Sequence, residues 1–186
     1  MKKGTEREKF HNYYGFICHR EPDKKFALKL QRKLERYRIP GKIRKENGIK
    51  TSHIRHIFVD NPDLYGAELK QNIIDSLNIS DKLIVLCSRA SASPVNGEKE
   101  WSSPQQIDWR QNPAETGWIG FEIRTFMDKN PEDKPYKNII PVVIDGDPKT
   151  GDCFHYLLKE YIDRNEIRWY DFREWGKWKA PRNRQG

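Results

Sequence analysis

Long apolar runs are missing from this 186-residue chain: no segment approaches the roughly 18 consecutive apolar residues that a membrane-spanning helix needs. The opening Met1-Lys2-Lys3-Gly4-Thr5-Glu6-Arg7-Glu8-Lys9 also lacks the apolar stretch of a secretory signal. The expectation is a soluble, cytoplasmic protein with no membrane partner. Cysteine is scarce and odd in number. Cys18, Cys87 and Cys153 form no Cys-x-x-Cys pair and cannot complete a disulfide framework. Cys18 and Cys87 close apolar runs, where a buried, unreactive thiol is expected. Metal-ligand clusters are absent too. His53 and His56 have helical spacing but lie in a loop-to-strand stretch without a matching set of cysteines or carboxylates, so no metal is expected.

Hydrophobic residues make up only 35% of the chain, but they gather into blocks at 16–18, 83–87 and 139–144. Such blocks can build a core, which wholesale disorder could not. The length suits one domain with room for an insertion or tail. Charge is distributed unevenly. Residues 29–56 hold ten Lys/Arg against two Glu, while the remainder holds 25 residues of each sign, so this one segment carries the whole net charge of +8. It could meet phosphates or a partner surface, or simply solvate a long loop. Tyr37 is the only aromatic within it. A nucleic-acid partner is therefore not expected, since single-strand binders interleave cations with stacking rings.

The order of elements gives the fold class. Residues 1–12 read as a charged arm. Residues 13–18 read as a strand, and Phe26, Leu30, Leu34 and Tyr37 form the stripe of a helix that begins near Pro22 and stops before Pro40. Residues 41–53 read as loop, 54–60 as a strand and 67–79 as a helix. Residues 83–87 are continuously apolar, as in a parallel strand buried on both faces. A Ser-, Pro-, Gln- and Asn-rich stretch at about 89–116 reads as a long insertion. A helix at 118–127, a strand at 138–144, a helix at 154–162 and a strand at 167–172 complete a domain spanning 13–173, with a basic tail at 174–186. This alternation predicts an α/β fold: a flavodoxin-like, open, parallel five-stranded sheet with helices on both faces.

In such sheets ligands bind beyond the carboxyl ends of the strands. A response-regulator receiver needs clustered acids after the first strand and an Asp ending the third, but Cys18-His19-Arg20 and Cys87-Ser88 stand there. A dinucleotide fold needs Gly-x-Gly-x-x-Gly after its first strand, and neither that motif nor a P-loop is present. What remains is a polar, basic rim and one acid. Ile119, Ile123 and Phe126 form the apolar stripe of their helix, while Trp118 and Glu122, four apart, share a neighbouring face expected at its exposed edge. An aromatic plane one turn from a carboxylate, near Arg20, could hold a nucleotide sugar.

Five segments in order then carry a resemblance. Phe16-Ile17-Cys18-His19-Arg20 is similar to the first box of the Toll/interleukin-1 receptor (TIR) domain family, usually Phe-Ile-Ser-Tyr-Arg. The run from Phe58 through Asp60 and Tyr65 to Gly66 resembles that family's second strand and BB loop. The run 80–88, ending at Ser88, is similar to its third strand, and 138–144 to its fourth. Trp118-Ile119-Gly120-Phe121-Glu122-Ile123 resembles the segment that bears the glutamate of NAD⁺-consuming members, here of bacterial type. Cys18 and His19 depart from the usual Ser and Tyr.

The resemblance implies an NAD⁺ nucleosidase or ADP-ribosyl cyclase with Glu122 as catalytic carboxylate. Trp118, Arg20, His19, Asp60, Tyr65 and Ser88 would line the substrate site. NAD⁺ would be substrate and not cofactor. The resemblance further implies self-association through TIR–TIR contacts and a place in bacterial antiphage signalling, with a separate effector protein as a further partner. The alternative is a non-catalytic TIR scaffold.

Overall fold

The computed structural model describes residues 13–54, 56–59, 67–92, 113–129, 134 and 136–175. Strands β1 (Gly15–Cys18), β2 (Ile57–Val59), β3 (Leu83–Cys87), β4 (Ile139–Val143) and β5 (Tyr170–Asp171) form one sheet in the order β2-β1-β3-β4-β5. Every neighbouring pair is parallel, with Phe16 opposite Leu83 and Leu83 opposite Ile139. This is the flavodoxin-like order the sequence predicts.

Alternation along each strand divides the core in two. Leu83, Val85 and Cys87 of β3 join Phe16, Cys18, Ile139 and Val143 on one face. There Ile73 and Leu77 of α3 (Ala67–Asn78), Ile119, Ile123 and Phe126 of α5 (Pro113–Asp128), and Leu158 of α6 (Tyr156–Asp163) cover them. Ile84 and Leu86 point the other way, with Ile17, Ile57 and Val142, toward Ala27 and Leu30 of α1 (Lys24–Glu35). Burying residues of this size is the main stabilising term, at roughly 1.5–3 kcal/mol each. All three thiols lie in the interior and are free. Burial pushes Cys87 well above its usual range and Cys153 up to about 11, so both stay protonated and inert.

Strand β2 is an edge strand, and α1 reaches across to it. The Gln31 side chain donates to the Ile57 carbonyl at 2.8 Å, and the Ile57 amide donates to the Glu35 carboxylate at 3.1 Å. Between them lies the described part of the basic 29–56 segment. It leaves α1 and enters β2 at the edge where strands begin, opposite the rim where they end.

Several boundaries differ from expectation. The stretch 41–53 is not all loop, because Gly41–Glu46 forms a short helix, α2. Local bonds hold it. Asn47 donates from its side chain to the Ile43 carbonyl at 2.9 Å, and Lys42 lies 3.9 Å from Glu46. Its one apolar residue, Ile43, is 44% exposed, so no apolar stripe could announce it. Among the described residues, strand β2 covers Ile57–Val59 of the expected 54–60, and β5 covers Tyr170–Asp171 of the expected 167–172. Residues 89–92 form a helical turn, α4 (Arg89–Ala92), and 113–116 already belong to α5. The arm at 1–12, residues 60–66 with Asp60 and Tyr65, the stretch 93–112 and the tail from 176 lie outside the described residues.

Helix α5 is interrupted at Gly117, whose backbone (φ 70°, ψ 152°) belongs to a region only glycine occupies without strain. The helix in effect restarts at Trp118. Gly117→Ala is expected to cost about 1–3 kcal/mol. The measurement is a urea transition whose midpoint falls while its slope is unchanged; an unshifted midpoint would show that the helix tolerates the residue.

Candidate functional site

Because all strands are parallel, their carboxyl ends face one rim. His19 and Arg20 follow β1, Ser88 follows β3 and Asp145 lies just past β4. Ser88 is 1% exposed and caps α4: its hydroxyl accepts from the Ser91 amide at 3.0 Å, while the Ser91 hydroxyl accepts from the Ser88 amide at 2.7 Å. The Ser88 hydroxyl donates its single proton to the Asp23 carboxylate at 2.7 Å. Arg20 Nε donates to the Ala90 carbonyl at 3.2 Å, which ties the same turn to β1. His19 Nδ1 donates to the Arg20 carbonyl at 3.1 Å, which leaves the other ring nitrogen, Nε2, for a further contact. That nitrogen is buried and has no hydrogen-bond partner among the described residues.

Asp23 was not anticipated from the sequence. It sits in the 3₁₀ turn Glu21–Asp23 that leads into α1. Burial pushes its carboxyl above the usual range, against the Ser88 hydrogen bond; Asp145 pushes the same way, and His19 and Arg20 oppose. Its sequence signal was its position, an acid five residues past a strand end. Asp145, two residues past the end of β4, carries a similar signal. Arg89 bonds both Asp145 (3.2 Å) and Asp152 (3.1 Å), pairs exposed enough to be worth about 0–1 kcal/mol each.

Trp118 opens the restarted helix and Glu122 stands one turn into it. Trp118 is half-buried and meets the Phe121 ring edge-on at 5.8 Å. Glu122 is not at an exposed edge: it is 2% exposed. The expected apolar stripe was too narrow, since Phe121 is buried as well, and α5 is enclosed over most of its circumference. Glu122 therefore belongs to the interior of the α5 face.

The described candidates thus fall into two sets, His19, Arg20 and Ser88 around Asp23, and Trp118 with Glu122 on α5. His155 borders both. It caps α6, its Nδ1 accepting from the Leu157 amide at 3.4 Å, and is 2% exposed. Burial pushes its pKa down to about 3, helped by the positive charges of Arg124 on α5 and Arg20 after β1. Nothing in the sequence singled it out, because a histidine before a helix reads as an ordinary cap. Among the described residues no group of histidines, cysteines and carboxylates could hold a metal ion, and no helix is long and apolar enough to cross a membrane. A cavity of about 380 Å³ between α3 and α5, walled by Lys70, Ile74, Phe121, Thr125 and Lys129, does not include Glu122.

Comparison with known proteins adds a family. The TIR domain family model matches residues 16–185. A solved structure described as the activated Roq1 resistosome directly recognizing the pathogen effector XopQ (TIR domains) is 16% identical. It aligns over 90% of this chain and 92% of its own with a TM-score of 0.39, too low a likeness to build on. No curated protein matches the chain.

The buried imidazole yields a pH test. The folded chain keeps His155 neutral down to about pH 3, whereas an unfolded imidazole protonates near 6.5. Between those values the unfolded chain binds more protons, so stability is lost as the pH falls, at up to about 1.4 kcal/mol per pH unit from this group. Asp23, raised from 3.8, acts oppositely: its contribution is lost as pH rises through the window just above that value. His155→Asn keeps a capping side chain but cannot titrate. Urea denaturation between pH 6.5 and 4.5 should show a shallower loss in the variant than in the parent, and parallel curves would contradict the assignment.

Proposed function

The chain belongs to the TIR domain family, and on that footing we propose that it cleaves the nicotinamide–ribose bond of NAD⁺, with Glu122 as the catalytic carboxylate. The observation that carries this reading is the enclosure of Glu122, one turn past Trp118, on a helix that a glycine break restarts at the ligand rim of an open α/β sheet. A carboxylate withdrawn from bulk water acts more strongly on a developing charge than an exposed one.

The chemistry requires only one such group. When the C–N bond breaks, its electron pair moves to the pyridinium nitrogen, and nicotinamide leaves neutral without protonation. An ordinary glycoside needs a second carboxyl to protonate its leaving oxygen. Glu122 would bond the ribose hydroxyls and stabilise the positive charge at the anomeric carbon. Attack by water, with loss of one proton, gives ADP-ribose; attack by a group of the ADP-ribose itself gives a cyclic isomer. His19, whose Nε2 has no partner among the described residues, would contact a substrate hydroxyl. Arg20, Asp60 and Tyr65 complete the proposed site, while Ser88 and Asp23 brace its floor by their mutual hydrogen bond. The proposed setting is antiphage signalling by self-associating domains in the bacterial cytoplasm, acting on a separate effector.

A second reading has the same burial in its favour. A glutamate shut off from solvent also suits a scaffold that binds other TIR domains and catalyses nothing. Incubation with NAD⁺ at high protein concentration, with products resolved by chromatography and mass spectrometry, separates the two.

On the enzymatic reading, Glu122→Gln, which preserves shape in a buried position, should reduce turnover by at least about 100-fold while leaving the melting temperature within a few degrees of the parent. Full activity in a folded Glu122→Gln protein would sink the mechanism. If neighbouring copies complete the site, specific activity should also rise with protein concentration. Specific activity that stays constant on dilution to monomer would count against shared sites.

A further inference from the structure

We propose that the edge where β3, β4 and β5 begin holds a second ligand site, for a small molecule carrying two or more phosphates. The site stands independently of the NAD⁺ reading. Strands β3 and β4 start level, with Leu83 opposite Ile139 about 4.8 Å away, while β5 starts farther along, with Tyr170 opposite Val142. Lys82 lies one residue before β3, Lys137 two before β4 and Arg168 two before β5. The topology thus brings three cations to one edge, Lys82 and Lys137 on adjacent strands and Arg168 set farther along the sheet. These three and Lys134 wall a cavity of about 660 Å³, within the usual range for small-ligand sites.

Among the described lining residues of this cavity, cations outnumber acids. The one acid among its described lining residues, Glu166, accepts a hydrogen bond from the Tyr136 hydroxyl. Lys82 donates to the neutral Asn138 side chain at 2.5 Å. Neither Lys134 nor Arg168 has a carboxylate partner among the described residues. By contrast, Lys159, Arg164 and Arg173 each pair with an acid. Cations gathered around one cavity repel each other, and an anion seated among them converts that repulsion into attraction.

Phosphate suits the donor set. Arg168 offers a planar fork to two oxygens, and the lysines act as point charges. Tyr170, 56% exposed, stands in the wall where a nucleobase could stack. The shared chemistry is an oligophosphate, whether attached to a nucleoside or inorganic.

Titration calorimetry on the full chain tests the site with ATP and with inorganic tripolyphosphate as probes. Binding should weaken with added salt as the screening length falls. It should weaken roughly 100-fold in the double variant Lys134→Glu/Arg168→Glu, about tenfold for each lost contact. Both positions are exposed, and unchanged circular dichroism and melting would show that the fold is kept. Tighter binding of ATP, cancelled by Tyr170→Ala, identifies a nucleotide; equal binding of both probes identifies the inorganic source. No binding of either probe at millimolar concentration overturns the proposal. So does binding undiminished in the double variant, which would put the anion elsewhere.

Discussion

Strands β1 and β3 are paired on both edges, and helices cover both faces of the sheet there, so those strands have no face toward water. Both of their sides must be apolar, so a charged side chain in this part of the chain can stand only before a strand begins or after it ends. The candidate site follows from that constraint. His19, Arg20 and Asp23 come after β1, Ser88 and Arg89 after β3, and Asp145 after β4. The same rule places Lys82, Lys137 and Arg168 at the other end. One sheet thereby separates two rims of different character, one of mixed charge with buried hydrogen bonds and the other dominated by cations.

Much of the fold was legible because a continuous apolar run as short as 83–87, flanked by polar residues, suits little besides a strand covered on both faces. The helices α1 and α3 were equally plain, as each buries one clear stripe. What escaped was held together by means that periodicity does not record. Helix α2 rests on an ion pair and a side-chain cap. The burial of Glu122 was misjudged for a related reason. A helical wheel assumes one covered side, whereas α5 buries Ile119, Phe121, Glu122, Ile123 and Phe126 together.

The arrangement of the candidate residues was half legible. Residue type at strand ends pointed to His19, Arg20 and Ser88, and the resemblance pointed to Trp118 and Glu122. Asp23 and His155 emerged only in three dimensions, since their environments are made by residues far away in sequence: Ser88 lies 65 positions from Asp23. The lowered basicity of His155 depends on burial and on two arginines from separate elements, a combination with no linear signature.

The bonds from α1 to β2 bear on how copies of this chain can meet. An edge strand is ordinarily a template for another strand, because its outward amides and carbonyls are unfilled. Here the outward pair at Ile57 is occupied by Gln31 and Glu35 of the chain's own helix. A second copy cannot extend the sheet there without first stripping away both side chains. That edge is closed to fibril-like growth, and association through helices or loops remains the compatible geometry.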